Sequence, residues 1–140
     1  MSFVLDNSVS MRWLLLDGSH ADLVYAKGVS TALDRMDCIV PALWKIELAN
    51  GIARAEAMQV TTRNASDTFL SIVESLRIVV DEESQAHSLT DALDLARKHR
   101  LTAYDATYLE VAIRRSMPIA SLDQDLLKAA KKTGVERFVP

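Results

Sequence analysis

Short, uniformly apolar runs alternate with longer amphipathic stretches along this chain, and that alternation leaves few folds open. Phe3-Val-Leu5, Cys38-Ile-Val40 and Ile78-Val-Val80 read as strands, with Ile119-Ala120 and Phe138-Val139 as weaker ones. Helical periodicity covers roughly 8–16, 20–36, 42–57, 63–76, 83–99, 103–115 and 123–133. Strands apolar on both sides and separated by helices imply a parallel sheet covered on both faces. The expected fold is therefore α/β, a three-layer α/β/α arrangement with a central, mainly parallel sheet of about five short strands. Pro41 suits the first turn of the helix that follows it. Gly134 suits the C-terminal cap of the last helix, where Lys131 and Lys132 complement the helix dipole.

The 140 residues contain no repeat, low-complexity tract or Pro/Gly-rich linker, so one domain over 1–140 is expected. The single cysteine, Cys38, lies in an apolar run and reads as a small buried hydrophobe. Without a disulfide framework, a secretory start or an apolar stretch of bilayer length, a cytoplasmic protein with no membrane association is expected. The net charge of -3 argues against a generally basic nucleic-acid binder. Setting four candidate site acids aside, however, leaves 16 bases against 15 acids, so the negative balance can reside in one pocket.

Those four acids stand at apolar-flanked turning points. Asp105 falls at helical spacing in the middle of a face with Leu101, Tyr108, Leu109 and Ala112. A carboxylate buried there is costly unless it is paired, hydrogen-bonded or bound to a cation. Thr102-Ala-Tyr-Asp105 also matches a loose capping box, a compatible second role. Asp6 follows the first strand, and with Asn7 and Ser8 makes three consecutive capping residues, more than one helix start needs. Asn7 or Ser8 is the expected cap, which frees Asp6 for a site.

Glu47 is the only acid between Asp37 and Glu56, and two readings stay open for it. It is either a site acid, with Asn50 one turn on at the same edge, or a helix flank paired with Lys45 or Arg54. Asp123 follows the fourth strand, where it or Ser121 caps the last helix. Asp125 is placed toward solvent, with auxiliary ligation left open. Ligands in open parallel sheets bind beyond the carboxyl ends of the strands, where Asp6 and Asp123 both fall.

Oxygen-only ligands suit Mg²⁺ or Mn²⁺, and no Cys/His cluster competes. His20, His87 and His99 lie in charge-rich helical surroundings and are placed at the surface. Arg97-Lys-His-Arg100, Arg114 and Arg115 read as helix-terminal charges. Trp13 reads as packed among Leu14, Leu15 and Leu16, with a stacking role beside Arg12 as the alternative.

Four motifs in order resemble those of PIN-domain ribonucleases, specifically the VapC-type toxins of bacterial type II toxin–antitoxin pairs. They are Val4-Leu-Asp-Asn-Ser8, Val40-Pro-Ala-Leu-Trp-Lys-Ile-Glu-Leu-Ala-Asn50, Leu101-Thr-Ala-Tyr-Asp-Ala-Thr-Tyr-Leu109 and Ile119-Ala-Ser-Leu-Asp123, and the resemblance spans essentially the whole chain. It implies a Mg²⁺- or Mn²⁺-dependent endoribonuclease that hydrolyses RNA phosphodiester bonds and inhibits translation. It puts the catalytic, metal-binding carboxylates on Asp6, Glu47, Asp105 and Asp123, with Ser8 and Ser121 as auxiliary hydroxyls. Ser121 stands where the family more often has Thr. It further implies a homodimer, an RNA substrate and a cognate VapB-type antitoxin whose C-terminal segment enters the acidic groove.

The alternative is a catalytically silent PIN-like module that binds protein or RNA, its acids serving as caps and ion pairs. A phosphatase or phospho-receiver on a similar sheet is disfavoured. Ser8 occupies the position of the second phosphatase Asp, and Asn7 that of the second receiver acid.

Overall fold

The structure, a computed structural model, describes all residues 1–140. Strands β1 (Phe3–Leu5), β2 (Cys38–Pro41), β3 (Ile78–Asp81) and β4 (Ile119–Ala120) form one sheet in the order β3-β2-β1-β4. Every pairing is parallel, with Val4 opposite both Ile39 and Ile119. The two inner strands are buried throughout, which is why they read as unbroken apolar runs.

Helices α1 (Asn7–Leu14), α2 (His20–Ala32), α3 (Leu43–Ala57) and α4 (Arg63–Ser75) lie in the connections from β1 to β2 and from β2 to β3. Helices α5 (Leu93–His99) and α6 (Ala103–Arg115) lie between β3 and β4, and α7 (Gln124–Lys132) follows β4. Parallel crossovers are right-handed. The first two step outward in one direction, so α1 to α4 share a face and α1 touches each of the other three. The third returns across the sheet, which puts α6 on the opposite face against β1, β2 and β4. None of these helices is long and apolar enough to cross a membrane.

Three expectations need correcting. The weak fifth strand at Phe138-Val139 reduces to a bridge between Ile119 and Arg137. Phe138 instead stacks on Phe3 with ring centroids 4.0 Å apart, and its amide reaches the carbonyl of Ile119. Pro41 ends β2 opposite Asp81 instead of opening a helix. The segment 83–99 is not one helix but a 3₁₀ turn (Ser84–His87), a π turn (Ser88–Ala92) and α5. Gly134 does close α7, at φ +81, a left-handed conformation that glycine adopts without a Cβ penalty.

Arg114 and Arg115 do more than complement a helix end. Asp81, fully buried at the end of β3, accepts from Arg114 Nη2 at 2.7 Å and Arg115 Nε at 2.7 Å. Arg114 Nε also reaches the buried Glu110 at 2.6 Å. Burial pushes the Asp81 carboxyl up, but the two guanidinium groups outweigh it and hold the carboxyl below its ordinary range. The carboxylate thus adds stability above the ordinary Asp range that is lost as the pH falls through it. Arg114→Met should cost about 3–5 kcal/mol in urea unfolding at pH 7, because buried Glu110 loses its arginine and buried Asp81 one of its two. It should also flatten the acid limb of the stability profile, and an unchanged acid limb would refute the pairing.

Candidate metal centre

The strand order reverses between β1 and β4, and it is beyond the carboxyl ends at such a reversal that open parallel sheets carry their ligand crevice. Asp6 is the first residue after β1, and Ser121 the first after β4. Asp6 is only 4% exposed. Its Oδ2 accepts from Ser8 Oγ at 2.5 Å and from Ser121 Oγ at 2.8 Å. Each hydroxyl is itself oriented by a backbone amide: Leu122 donates to Ser8 Oγ and Asp123 to Ser121 Oγ, both at 3.0 Å. This lattice ties the two strands together and sets the direction of one carboxylate.

It also explains a local surprise. Asp6 itself occupies the N-cap position of α1, in place of Asn7 or Ser8, yet makes no side-chain cap bond. Its carboxylate is engaged across the sheet instead.

The other acids arrive from three helices. Glu47 sits in the second turn of α3, half-buried. It forms no pair with Lys45 or Arg54; its Oε1 accepts from Tyr108 Oη at 2.5 Å. Asp105 lies in the first turn of α6, where Thr102 Oγ1 caps its amide at 3.1 Å. No donor in the chain reaches the Asp105 carboxylate, so the reciprocal half of a capping box is missing. Asp123 caps α7 through Leu126 N at 3.0 Å, which leaves its second oxygen available. Asn50 is exposed and takes no part in these hydrogen bonds.

Electrostatics tie the group together. Burial pushes the Asp6 carboxyl up, and Asp123 adds to this against the two serine hydrogen bonds. Burial likewise raises Glu47, with Tyr108 opposing and Asp6 reinforcing. Asp105 is pushed up to about 7, first by burial and then by the charges of Asp6, Asp123, Glu47 and Asp125. Asp125, at the exposed start of α7, therefore belongs to the same field. The ion pairs of the molecule, such as Arg114–Asp81 and Arg77–Asp37, involve none of these five acids.

Such a donor set fits a hard divalent cation. It offers only oxygens, carries excess negative charge, and includes one carboxylate that no protein group compensates. Asp6, Glu47, Asp105 and Asp123 are the residues that would hold it. No three of them bring a ligand oxygen within 4.8 Å of one another; His87, Asp91 and Glu110, from the 3₁₀ turn, the π turn and α6, do bring their ligand atoms that close. That second group was not visible in the sequence, where His87 reads as a surface residue. Its one signal is the i, i+4 spacing of His87 and Asp91. Tyr108 was also missed as a site residue, because it reads as core; a fully buried Tyr hydroxyl requires a partner, and that requirement is the clue.

The raised Asp105 carboxyl makes a pH prediction. A carboxyl that titrates higher in the folded chain than in the unfolded one binds extra protons on folding, so stability falls as the pH rises between the two values. In chelator, the melting temperature should decline from about pH 4, the unfolded Asp value, toward neutrality. Asp105→Asn should flatten that decline. Added Mg²⁺ should raise the melting temperature more at pH 8 than at pH 5.5, because cation and proton compete for the same oxygens. A Mg²⁺ effect independent of pH would break the link to Asp105.

The PIN domain family model matches residues 3–132, from β1 to the end of α7. The chain is similar in structure to PAE2754 from Pyrobaculum aerophilum, with a TM-score of 0.66 over 92% of this chain and 84% of that one. Sequence identity between them is 17%, so the likeness is one of fold. A search of curated proteins finds no match. PIN domains are typically nucleases and generally use divalent metal ions. The family match and the shared fold agree, and the chain belongs to the PIN-domain family.

Proposed function

We propose that this protein is a metal-dependent endoribonuclease that cleaves RNA phosphodiester bonds at the crevice between β1 and β4. The observation that carries the reading is the uncompensated charge there: five acids share one field without a single basic partner, and burial together with their charges raises Asp105 to about 7. Elsewhere in the same chain, buried carboxylates have arginines. When bound, Mg²⁺ or Mn²⁺ would supply activated water and charge stabilisation for the scissile phosphate.

The chain's own residues supply the geometry. Ser8 and Ser121 fix the Asp6 carboxylate, and Tyr108 fixes Glu47. Asp123 is held by its cap to Leu126. Asp105 remains free to turn toward a ligand. Water activated by a bound ion would be the nucleophile, so no side-chain nucleophile is called for.

The finer assignment, a VapC-type toxin, is supported by the order and spacing of the four motifs. With it come a cognate VapB-type antitoxin, a homodimer, inhibition of translation and a cytoplasmic place of action. The rival is a silent PIN-like binding module, in which Mg²⁺ and Mn²⁺ would leave the melting temperature unchanged.

Structured RNA incubated with Mg²⁺ or Mn²⁺ should be cut by the native chain, and chelator should abolish the cutting. Asp6→Asn and Asp105→Asn should each reduce the rate at least about a hundredfold, the scale of losing a positioned charge in a reacting site. Tyr108→Phe should act more mildly, since it loosens Glu47 without removing it. Cleavage that survives both aspartate substitutions would sink the carboxylate mechanism.

A further inference from the structure

Helices α2, α4, α6 and α7 each begin on a side chain that accepts a hydrogen bond from their first turn: Ser19, Thr62, Thr102 and Asp123. Helices α1 and α3 have no such cap. The Asp6 carboxylate at the start of α1 is engaged across the sheet, and the residue before α3 is Ala42, whose side chain has nothing to offer. A helix start without a cap keeps orphan amides and is prone to fray. Yet these two starts are the ones that present Asp6 and Glu47.

A buried relay of side chains joins them. Trp44 Nε1 donates to Ser10 Oγ at 3.1 Å, and Ser10 Oγ donates to Asn7 Oδ1 at 2.9 Å. Trp44 is 3% exposed and Ser10 is fully buried. Asn7 follows Asp6, and its backbone amide lies near both the Asp6 carboxylate and the Tyr108 hydroxyl. Tyr108 in turn donates to Glu47, one turn beyond Trp44 on α3. The contacts therefore run from α3 through α1 and α6 and return to α3. Two turns beyond Trp44, α3 comes so close to α1 that a Cβ on Gly51 would meet Met11 Sδ at 2.7 Å. A buried indole N–H needs an acceptor. Core satisfaction alone does not require that acceptor to pass the bond on to the residue beside a site acid.

We infer that Trp44 and Ser10 are positioning residues of the carboxylate site: through Asn7 they hold the starts of α1 and α3 in the register at which Asp6 and Glu47 share one cation. The inference rests on the metal-dependent reading of that site, and it adds two residues that act without touching the cation. Partners that orient metal-binding side chains from behind typically contribute about ten- to a hundredfold to metal affinity.

The test is isothermal titration of the full chain with Mn²⁺, at a temperature where circular dichroism shows each variant folded. Ser10→Ala and Trp44→Phe should each weaken Mn²⁺ binding about tenfold. Because both break one relay, the double substitution should also lose about tenfold, not about a hundredfold. Ile52→Val, a core change on the same helix, should lower the melting temperature and leave Mn²⁺ affinity as it is.

A purely structural role for the relay would give lower melting temperatures with native Mn²⁺ affinity, and that result overturns the inference. So do losses that add in the double variant, an Ile52→Val chain that loses as much affinity as Ser10→Ala, or a native chain that binds no Mn²⁺. Failure of the nuclease reading looks different. There, Mn²⁺ affinity depends on Trp44 and Ser10 as expected, but the loaded native chain leaves RNA uncut.

Discussion

The hydrogen-bonded seam at Asp6 is the constraint on which the rest of the site depends. A carboxylate withdrawn from water is costly unless donors replace the lost hydration. Here two serine hydroxyls do so from opposite sides of a strand junction, and backbone amides aim each hydroxyl. The seam thus performs two functions. It stitches β4, only two residues long, to β1 beyond their main-chain ladder, and it fixes one oxygen donor at the place where the strand order reverses. Glu47, Asp105 and Asp123 are then positioned by the helices that the sheet carries.

The chain handles buried negative charge in two contrasting ways. On one side, Asp81 and Glu110 are closed off by Arg114 and Arg115, and the Asp81 carboxyl is held below its usual range as a result. Such a cluster is complete in itself. At the β1–β4 crevice, the same kind of side chain is left without any cation from the protein, and burial with mutual repulsion drives Asp105 up to about 7. The two clusters differ in whether the chain supplies the counter-charge. Uncompensated carboxylates are a standing cost to the fold, which is the expected mark of a functional site.

Much of the fold was legible because its signals are local and repeat. Uniformly apolar triplets such as Phe3-Val-Leu5 mark strands buried on both faces, and the helices between them carry the apolar stripes of a covering layer. The candidate acids stood out for the same reason, as Asp105 interrupts its stripe and Asp6 adds an excess capper after a strand. What escaped depends on distant partners. Tyr108 has the periodicity of a core residue, and only its position opposite α3 makes its hydroxyl the donor to Glu47. Phe138 has strand propensity, but contact with Phe3 decides its role. The break of 83–99 into 3₁₀, π and α turns has no breaker residue to announce it.

The tight group at His87, Asp91 and Glu110 shows why compactness alone is a poor guide to a metal centre. His87 Nδ1 lies 2.8 Å from Asp91 and 3.5 Å from Glu110, so the imidazole sits between two carboxylates. Both oxygens of Glu110 are already taken by Arg114, at 2.6 and 3.2 Å. A cation arriving there would have to displace a buried guanidinium contact. At the crevice, by contrast, Asp105 has no donor to surrender, and no cation in the chain offsets the charge of the acids around it. The looser cluster is therefore the one with the greater electrostatic gain from a cation.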